Sequence, residues 1–384
     1  MEQLYYENSY LKSFMCTVIS CEPGKGGYEI VLNRTAFYPE GGGQPADTGV
    51  LGNVRVLDVH EKNGRIIHYT DGPLKIGSVA EGRIDWQRRF DHMQQHTGEH
   101  ILSGLIHNHF GYNNVGFHLG EDEVTIDFDG VLTLEEAQEM ETEANKKIYE
   151  DLPVRIFYPD QDELEKLTYR SKKELTGNVR IVEVPGADIC ACCGTHVERT
   201  GEIGCIKVTS LIHYKGGIRM TIVCGYRALE DYRHKQQEAV KISNLLSAKI
   251  SEIGTAVEKL KEESGARASK ISGLYRELFE AWAGEFPESD DRLLVWKKDL
   301  APNQLRDFCT ILCQEKKGRI VLVCSEKDGT FQYALGSTEV DVRTLSRDLN
   351  GRLEGRGGGG PSLAQGTFRA SKDAVKAAFW RDNA

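Results

Sequence analysis

The run HTGEH at residues 96–100 places two histidines four residues apart. On an α-helix this spacing puts both rings on one face, where they can bind a single metal ion. A His-x-x-Glu-His run is also typical of inverted zinc peptidases, which use the glutamate in catalysis. The run alone therefore allows a zinc metallopeptidase built on His96, Glu99 and His100, a zinc site of another kind, or two ordinary histidines.

The run CACCGTH at residues 190–196 supplies a second pair of candidate ligands at the same spacing. Gly194, inside this run, permits the tight turn that a ligand loop needs. Two such pairs predict one Zn2+ per chain, because three imidazoles and one thiolate form a suitable tetrahedral donor set. The predicted metal ligands are His96, His100, Cys192 and His196.

Two alternatives to this assignment stay open at the level of sequence. Cys190 and Cys193 form a Cys-x-x-Cys that could supply the thiolate, or serve as core thiols, although Cys192 repeats the four-residue spacing. The peptidase interpretation is disfavoured, because a thiolate makes zinc a weaker Lewis acid. In addition, Glu99 points about 60–100° away from the two-histidine face of a helix. The pattern favours a site that positions or modestly polarises a substrate.

A third motif, FYPEGGGQPADTG at residues 37–49, places three glycines before Gln44. Glycine runs in β-rich regions usually form turns or bulges. The functional interpretation is that the glycines let the backbone approach an RNA end while the amide of Gln44 contacts substrate or water. Both interpretations remain open from the residues alone.

Composition limits the class of protein. A chain of 384 residues can form two or three domains, each with its own core. The sequence has neither a secretory signal nor an apolar stretch long enough to cross a bilayer, so we expect a cytoplasmic protein with no membrane partner. In that compartment the ten cysteines are expected to be reduced core thiols or metal ligands rather than disulfides. The net charge of −10 argues against non-specific coating of nucleic acid.

Hydrophobic periodicity predicts an α+β fold with four segments. Short β-forming runs separated by glycines predict a β-barrel over residues 1–87. Alternating helices and strands predict an α+β zinc-binding domain over 88–227 and a small α/β domain with a glycine-rich loop over 286–384. Residues 228–285 are predicted to form a helical hairpin or a coiled-coil linker.

The helical segment contains a heptad pattern. Its apolar residues, spaced 4, 3, 4 and 3 apart, are Leu246, Ile250, Ile253, Val257 and Leu260. Polar residues interrupt the pattern further on, and a turn at Ser264–Gly265 would make a hairpin. One continuous coiled-coil helix is the alternative. The pattern permits a homodimer through the helical or C-terminal region without requiring one.

Taken together, HTGEH, GFHLGEDEVTIDFDG, CCGTHVERTGEIG and GGGQPADTG resemble the editing half of alanyl-tRNA synthetases and their free-standing relatives, the AlaX-type editing hydrolases. The run GRGGGGPSLAQGTF at residues 355–368 is similar to the C-terminal glycine-rich domain of the synthetases, which indicates the long AlaX class. The resemblance implies trans-editing, the hydrolysis of the ester that joins a wrong amino acid, Ser or Gly, to tRNA(Ala). A non-catalytic RNA-binding protein with a structural zinc is the remaining alternative.

The resemblance also implies roles for individual residues. It implies that the four paired residues are the zinc ligands and that Gln44 lies beside the editing pocket. Thr97 and His118 fall in matching motifs and are candidate catalytic residues. One departure is Cys193, where the family more often has glycine, so this thiol could alter the ligand loop or compete for the metal.

The C-terminal domain is expected to hold the body of the tRNA. Residues 350–384 carry six Arg or Lys residues against three acids, so this end is locally positive. The candidate tRNA-binding residues are Arg352, Arg356, Gly357, Gly358, Gly359, Arg369 and Lys372. The alternative is that the cations are ordinary solvated surface charges.

Overall fold

Alternation of buried and exposed residues shapes the N-terminal strands. In chain order the first elements are β1 (Glu2–Gln3), α1 (Leu4–Glu7), β2 (Ser13–Gly24), β3 (Gly27–Leu32), β4 (Arg34–Thr35), β5 (Gly49–Leu51), β6 (Val54–Lys62), β7 (Arg65–Thr70) and β8 (Val79–Ile84). In β2, Phe14, Cys16 and Val18 point inward while Ser13 and Met15 are exposed, the period of two expected for a strand. The strands β2-β3-β7-β6-β5-β8 close into a barrel around these side chains.

This computed structural model describes residues 1–24, 26–171, 179–327 and 329–381. The chain divides into two compact units, Met1–Val240 and Lys241–Ala384. The barrel and the α+β region predicted from the sequence therefore share one unit, and the predicted boundary at residue 228 falls inside a helix that starts at Gly225. The α+β class is confirmed.

A long helix follows the barrel and carries the first histidine pair. Helix α2 (Trp86–Phe110) begins at Asp85, whose carboxylate accepts a hydrogen bond from the amide of Arg88, and ends at Gly111 in the left-handed conformation. It approaches neighbouring backbone closely: a Cβ on Gly104 would lie 2.4 Å from the carbonyl oxygen of Ala187. The helix is thus buried on several sides, which fixes where its histidines point.

Two sheets complete this part of the fold. The remaining elements that begin in the first unit are β9 (Asn114–Leu119), β10 (Val124–Phe128), α3 (Leu134–Tyr149), β11 (Arg155–Phe157), α4 (Gln161–Lys166), β12 (Ile181–Val184), β13 (Asp188–Ala191), β14 (Ile206–Tyr214), β15 (Gly217–Cys224) and α5 (Gly225–Leu246). The antiparallel sheet β14-β15-β10-β9 shares a core with α2 and α3, and the smaller sheet β11-β12-β13 leads into the second ligand run.

The second unit contains a mixed five-stranded sheet with a core on each face. Its elements are α6 (Ile253–Gly284), β16 (Arg292–Trp296), α7 (Pro302–Gln314), β17 (Ile320–Lys327), β18 (Thr330–Gly336), α8 (Arg343–Arg352), β19 (Arg356–Gly359), β20 (Leu363–Phe368) and α9 (Lys372–Phe379). The strand order is β16-β17-β18-β20-β19, and among the described strands of this sheet only the pair β16–β17 is parallel. One core includes Phe279 and Phe308, and the other includes Phe368 and Phe379.

The helical turn predicted at Ser264–Gly265 is wrong. Helix α6 continues through both residues, because an interior glycine costs only about 1 kcal/mol relative to alanine. The break falls instead at Ser247, which has a φ of 50°. It interrupts the predicted heptad pattern, and Val257 and Leu260 are 48% and 52% exposed. A homodimer through this segment stays a prediction.

No helix within the described ranges combines the length and hydrophobicity required to cross a membrane.

A buried ion pair joins the barrel to α2. The Arg89 and Asp47 side chains are fully buried, and the Arg89 guanidinium binds the Asp47 carboxylate through Nε, at 3.1 Å to each oxygen, and through Nη2. The same guanidinium donates to the carbonyl oxygens of Ser9 at 2.7 Å and Ala36 at 2.6 Å. Four segments of chain thereby meet at one side chain.

We expect Arg89→Met or Asp47→Asn to lower the free energy of unfolding by about 3–5 kcal/mol. Arg89→Met leaves the buried Asp47 carboxylate without its partner, and Asp47→Asn leaves the charge of the buried Arg89 guanidinium uncompensated. The measurement is urea unfolding followed by circular dichroism. The control is Arg83→Met, which removes an exposed pair with Glu81 and should change stability by less than about 1 kcal/mol. Equal losses for Arg83→Met and Arg89→Met would contradict the anchoring role.

Candidate metal centre

The four residues predicted as ligands come together. His96 and His100 lie on α2, and Cys192 and His196 lie on the loop after β13. One ligand atom from each side chain falls within 4.8 Å of all the others. The Cys192 Sγ is 3.5 Å from His96 Nε2 and 3.4 Å from His196 Nε2.

These distances suit a tetrahedral zinc ion. Zinc–nitrogen bonds of about 2.0–2.1 Å and a zinc–sulfur bond of about 2.3 Å place neighbouring ligand atoms roughly 3.3–3.7 Å apart. Both sulfur–nitrogen separations fall in that range. One thiolate and three imidazoles also match the chemistry that zinc prefers in proteins. The residues present therefore fit this metal.

Each ligand histidine is oriented by a hydrogen bond from its other ring nitrogen. The contacts are His96 Nδ1 to Gln44 Oε1 at 2.9 Å, His100 Nδ1 to Asp188 Oδ2 at 2.9 Å, and His196 Nδ1 to Thr97 Oγ1 at 3.1 Å. The Thr97 hydroxyl already donates to the carbonyl oxygen of Met93 at 2.8 Å, so its oxygen is the acceptor for His196. With Nδ1 as the donor in all three rings, each Nε2 lone pair is left for a metal.

The glycine motif positions the Gln44 side chain beside His96. Gly41 and Gln44 exchange two backbone hydrogen bonds in a tight turn, which confirms the turn interpretation. A Cβ on Gly43, which has a φ of 87°, would lie 2.5 Å from the carbonyl oxygen of Phe117, so the turn packs directly on β9. The Gln44 side chain is fully buried and also bonds Thr195, through Nε2 at 2.9 Å and Oε1 at 3.1 Å. This places the glutamine behind His96 as a positioning group.

Electrostatics favour a thiolate at Cys192. Burial opposes ionisation, but the three neighbouring histidines hold the pKa of the Cys192 thiol well below its usual value. Burial likewise opposes charge on His100, yet Cys192 and Asp188 raise the pKa of His100 well above its usual value. Burial lowers the pKa of His196 to about 3, so that ring is neutral.

The structure distinguishes among the three clustered cysteines. Cys190 is buried, and burial raises its pKa to about 11, which keeps it a protonated thiol. Cys193 is exposed and is not part of the four-residue cluster. Cys192 is the thiol directed at His96 and His196, as the four-residue spacing predicts.

Glu99 and His118 lie apart from the ligand atoms. The Glu99 carboxylate is buried and accepts hydrogen bonds from Ser103 Oγ at 2.6 Å and from Asn114. These contacts disfavour the peptidase interpretation. His118 is exposed on β9, whereas its neighbour Phe117 stacks on His96 with ring centroids 5.0 Å apart. Because successive strand residues point to opposite faces, His118 points away from the cluster.

Sequence reasoning missed three residues that support the centre. Asp188 orients His100, and Arg170 binds both oxygens of that carboxylate at 2.7 and 2.8 Å. Arg180, only 5% exposed, donates through Nη1 to the carbonyl oxygens of Cys192 at 2.7 Å and Gly194 at 3.0 Å. No local spacing marks these residues, because their contacts depend on how β13 and its flanking loops pack.

The predicted tRNA-binding residues lie in the second unit and have varied surroundings. Arg352 pairs with Asp348 at 3.0 Å, and the Lys372 ammonium lies 4.8 Å above the Trp296 ring. The backbone amide of Arg369 bonds the carbonyl oxygen of Leu353. Arg356 and the three following glycines form β19 and line a groove of about 420 Å³. Helix α8 adds Arg343 and Arg347, which the sequence motif did not identify.

Comparison with known proteins finds similarity between parts of this chain and tRNA synthetases. The family model of the threonyl and alanyl tRNA synthetase second additional domain matches residues 179–219, which include Cys192 and His196. The family model of class II (A) tRNA synthetases matches residues 12–88. A solved C-Ala domain from Aquifex aeolicus alanyl-tRNA synthetase aligns with 23% of this chain and 88% of that domain, at 26% identity and a TM-score of 0.21.

Full-length relatives extend the similarity along the chain. An alanine–tRNA ligase of Halorubrum lacusprofundi is 30% identical over 95% of this chain and 42% of its own length. An alanyl-tRNA editing protein of Mus musculus is 28% identical over 95% of this chain and 94% of its own. The alanyl-tRNA editing protein AlaX-L of Pyrococcus horikoshii is 30% identical over 98% of this chain and 96% of its own. The chain therefore belongs to the family of alanyl-tRNA editing proteins.

Proposed function

We propose that this chain hydrolyses the ester of tRNA(Ala) mischarged with serine, and of the glycine ester, acting in trans on released tRNA. The supporting observation is the four-ligand centre, in which each histidine is fixed by a separate acceptor. The relatives named as alanyl-tRNA editing proteins support the substrate class. A synthetase pocket for alanine discriminates weakly against glycine and against one added hydroxyl, so a second hydrolytic site restores accuracy.

The centre would hold one Zn2+ through His96, His100, Cys192 and His196. When bound, this ion supplies positive charge that positions and polarises the aminoacyl end. Cys192 is the least buried of the four ligands and adjoins the exposed Cys193. The ligand histidines hold their Nδ1 protons in hydrogen bonds, and Glu99 is turned toward Ser103 and Asn114. Hydrolysis then relies on orientation of the ester and water rather than on one of these groups as base.

We expect Cys192→Ala and His100→Ala to abolish release of serine from Ser-tRNA(Ala) and to reduce bound zinc from one per chain to none. Each change removes one of the four ligands. The measurements are acid-soluble radiolabelled serine and metal content by mass spectrometry. Cys193→Ala is the matched control and should retain both. Full activity in metal-stripped protein would rule out a zinc-centred mechanism.

Replacement of Asp188, which accepts the hydrogen bond from His100 Nδ1, tests whether the orienting contacts support zinc binding. Asp188→Asn removes the charge that pairs with His100 and Arg170, and we expect zinc affinity to fall about 10–100-fold. Affinity is measured by competition with a chromophoric chelator, and deacylation should recover in excess zinc. Asp127→Asn, which breaks the bidentate pair with Arg219 on the sheet surface, is the control. Unchanged affinity in Asp188→Asn would argue against this role.

The groove beside β19 is the part of the second unit that we assign to tRNA phosphates. Arg347→Glu and Arg356→Glu should each weaken tRNA(Ala) binding and reduce the log–log salt slope by about 0.9, as expected when one phosphate contact is lost. Filter binding at several salt concentrations measures both quantities. Arg306→Glu, an exposed residue of α7 outside the groove, is the control. If all three variants lose affinity equally, the effect is one of net charge and the groove is not the site.

A further inference from the structure

A second cavity lies close to the metal centre in the first unit. Its volume is about 1050 Å³, and its walls come from the first turns of α2, the turn after β9 and the start of α5. Apolar surface is provided by Trp86, Phe90, Tyr226 and Leu229, of which Tyr226 is 57% exposed. The size is sufficient for a ligand larger than an amino acid.

The cavity and the centre are neighbours along α2. His92 lines the cavity and precedes the ligand His96 by four residues, so the two are separated by about 6 Å of helix rise on the same face. Strand β9 runs beside α2 in the opposite chain direction. Its Asn114 contacts Glu99, its Phe117 stacks on His96, and Glu121 just beyond it lines the cavity. Strand β9 and the turn after it therefore connect the surroundings of His96 with the wall of the cavity.

Two cationic side chains lie over aromatic rings that line this cavity. The Trp86 and Phe90 rings are 5.5 Å apart, and the Lys12 ammonium lies 4.6 Å from the Trp86 centroid. The Arg233 guanidinium lies 5.8 Å from the exposed Tyr226 ring. Stacking faces next to positive charge are how proteins bind unpaired nucleotides, since every base has a π-face and every linkage a phosphate.

Polar groups of the cavity also fit such a ligand. His92 is 2% exposed, and its Nδ1 has no hydrogen-bond partner among the described residues. Arg227 neutralises Asp91 through contacts of 2.6–3.1 Å and donates to the carbonyl oxygen of Gly120 at 2.8 Å. Asp91, the acid nearest His92 in the chain, is therefore already paired. The His92 Nδ1 remains in the cavity wall as a polar atom that can bond to a base edge or a water molecule.

We propose that this cavity binds the unpaired 3′-terminal nucleotides of the tRNA, with bases stacked on Trp86 and Tyr226 and the esterified end at the metal centre. The inference rests on the proposed function and specifies where the substrate strand lies. A second copy of the chain is the competing occupant. The stacking surfaces of Trp86 and Tyr226 and the single turn of helix between the cavity and His96 favour the nucleotides.

The test is binding of a fluorescein-labelled CCA trinucleotide, measured by anisotropy with the full chain. Tyr226→Ala should weaken binding about five- to twentyfold, which lies within the range for loss of one stacked base. The same variant should raise the KM for Ser-tRNA(Ala) by a similar factor while kcat and zinc content stay unchanged. Tyr149→Ala, which removes a 76% exposed tyrosine at the end of α3, is the matched control. Trp86→Phe keeps a ring and should retain most of the affinity.

Three results would overturn the proposal. They are a wild-type chain that fails to bind the trinucleotide, equal binding by wild type and Tyr226→Ala, and a concentration-dependent dimer that Tyr226→Ala dissociates. Failure of the hydrolytic function has a different outcome. A wild-type chain that binds the trinucleotide through Tyr226 but releases no serine would support the strand-binding site and reject the editing activity.

Discussion

The contact between Arg89 and Asp47 fixes how the barrel meets α2, and the metal centre depends on that arrangement. The barrel loop from Tyr38 to Asp47 is closed on itself, since the Tyr38 amide donates to Asp47 Oδ2 at 2.6 Å and the Asp47 amide donates back to the Tyr38 carbonyl oxygen at 3.0 Å. Gln44 lies within this loop, and His96 lies two turns along α2 from Arg89. A buried ion pair contributes little net stability but is costly to break. Its effect here is to hold the amide of Gln44 at the His96 ring.

The ligands could be predicted from the sequence, whereas the groups that orient them could not. His96 and His100 share a helical face whatever the rest of the fold does, and Cys192 with His196 repeats the spacing on a loop. The acceptor for His100, in contrast, is a residue of β13, and its position follows from the packing of that strand against α2. Long-range packing of this kind leaves no periodic signal along the chain. The same limit applies to the helical segment, where Ser264 and Gly265 indicate a turn locally but α6 continues through them.

Three chemically different acceptors hold the three histidines. A carboxylate behind His100 increases the basicity of that ring most, whereas the amide behind His96 and the hydroxyl behind His196 are neutral. Cys192 adds the negative charge of a thiolate, which further reduces the Lewis acidity of a bound zinc. The centre is therefore suited to holding an aminoacyl group in place. An ester needs less activation than a peptide bond, so such a centre is consistent with editing and poorly matched to peptide hydrolysis.

An acidic chain that binds RNA must confine the RNA to a few positive places. The net charge of −10 opposes non-specific association with phosphates. Within the second unit, Arg343, Arg347 and Arg356 surround the groove beside β19. Within the first unit, Lys12 and Arg233 lie over aromatic rings at the cavity next to α2. A net charge of −10 argues against non-specific coating of nucleic acid, and it is compatible with RNA binding at local sites where cations lie beside glycines or aromatic rings.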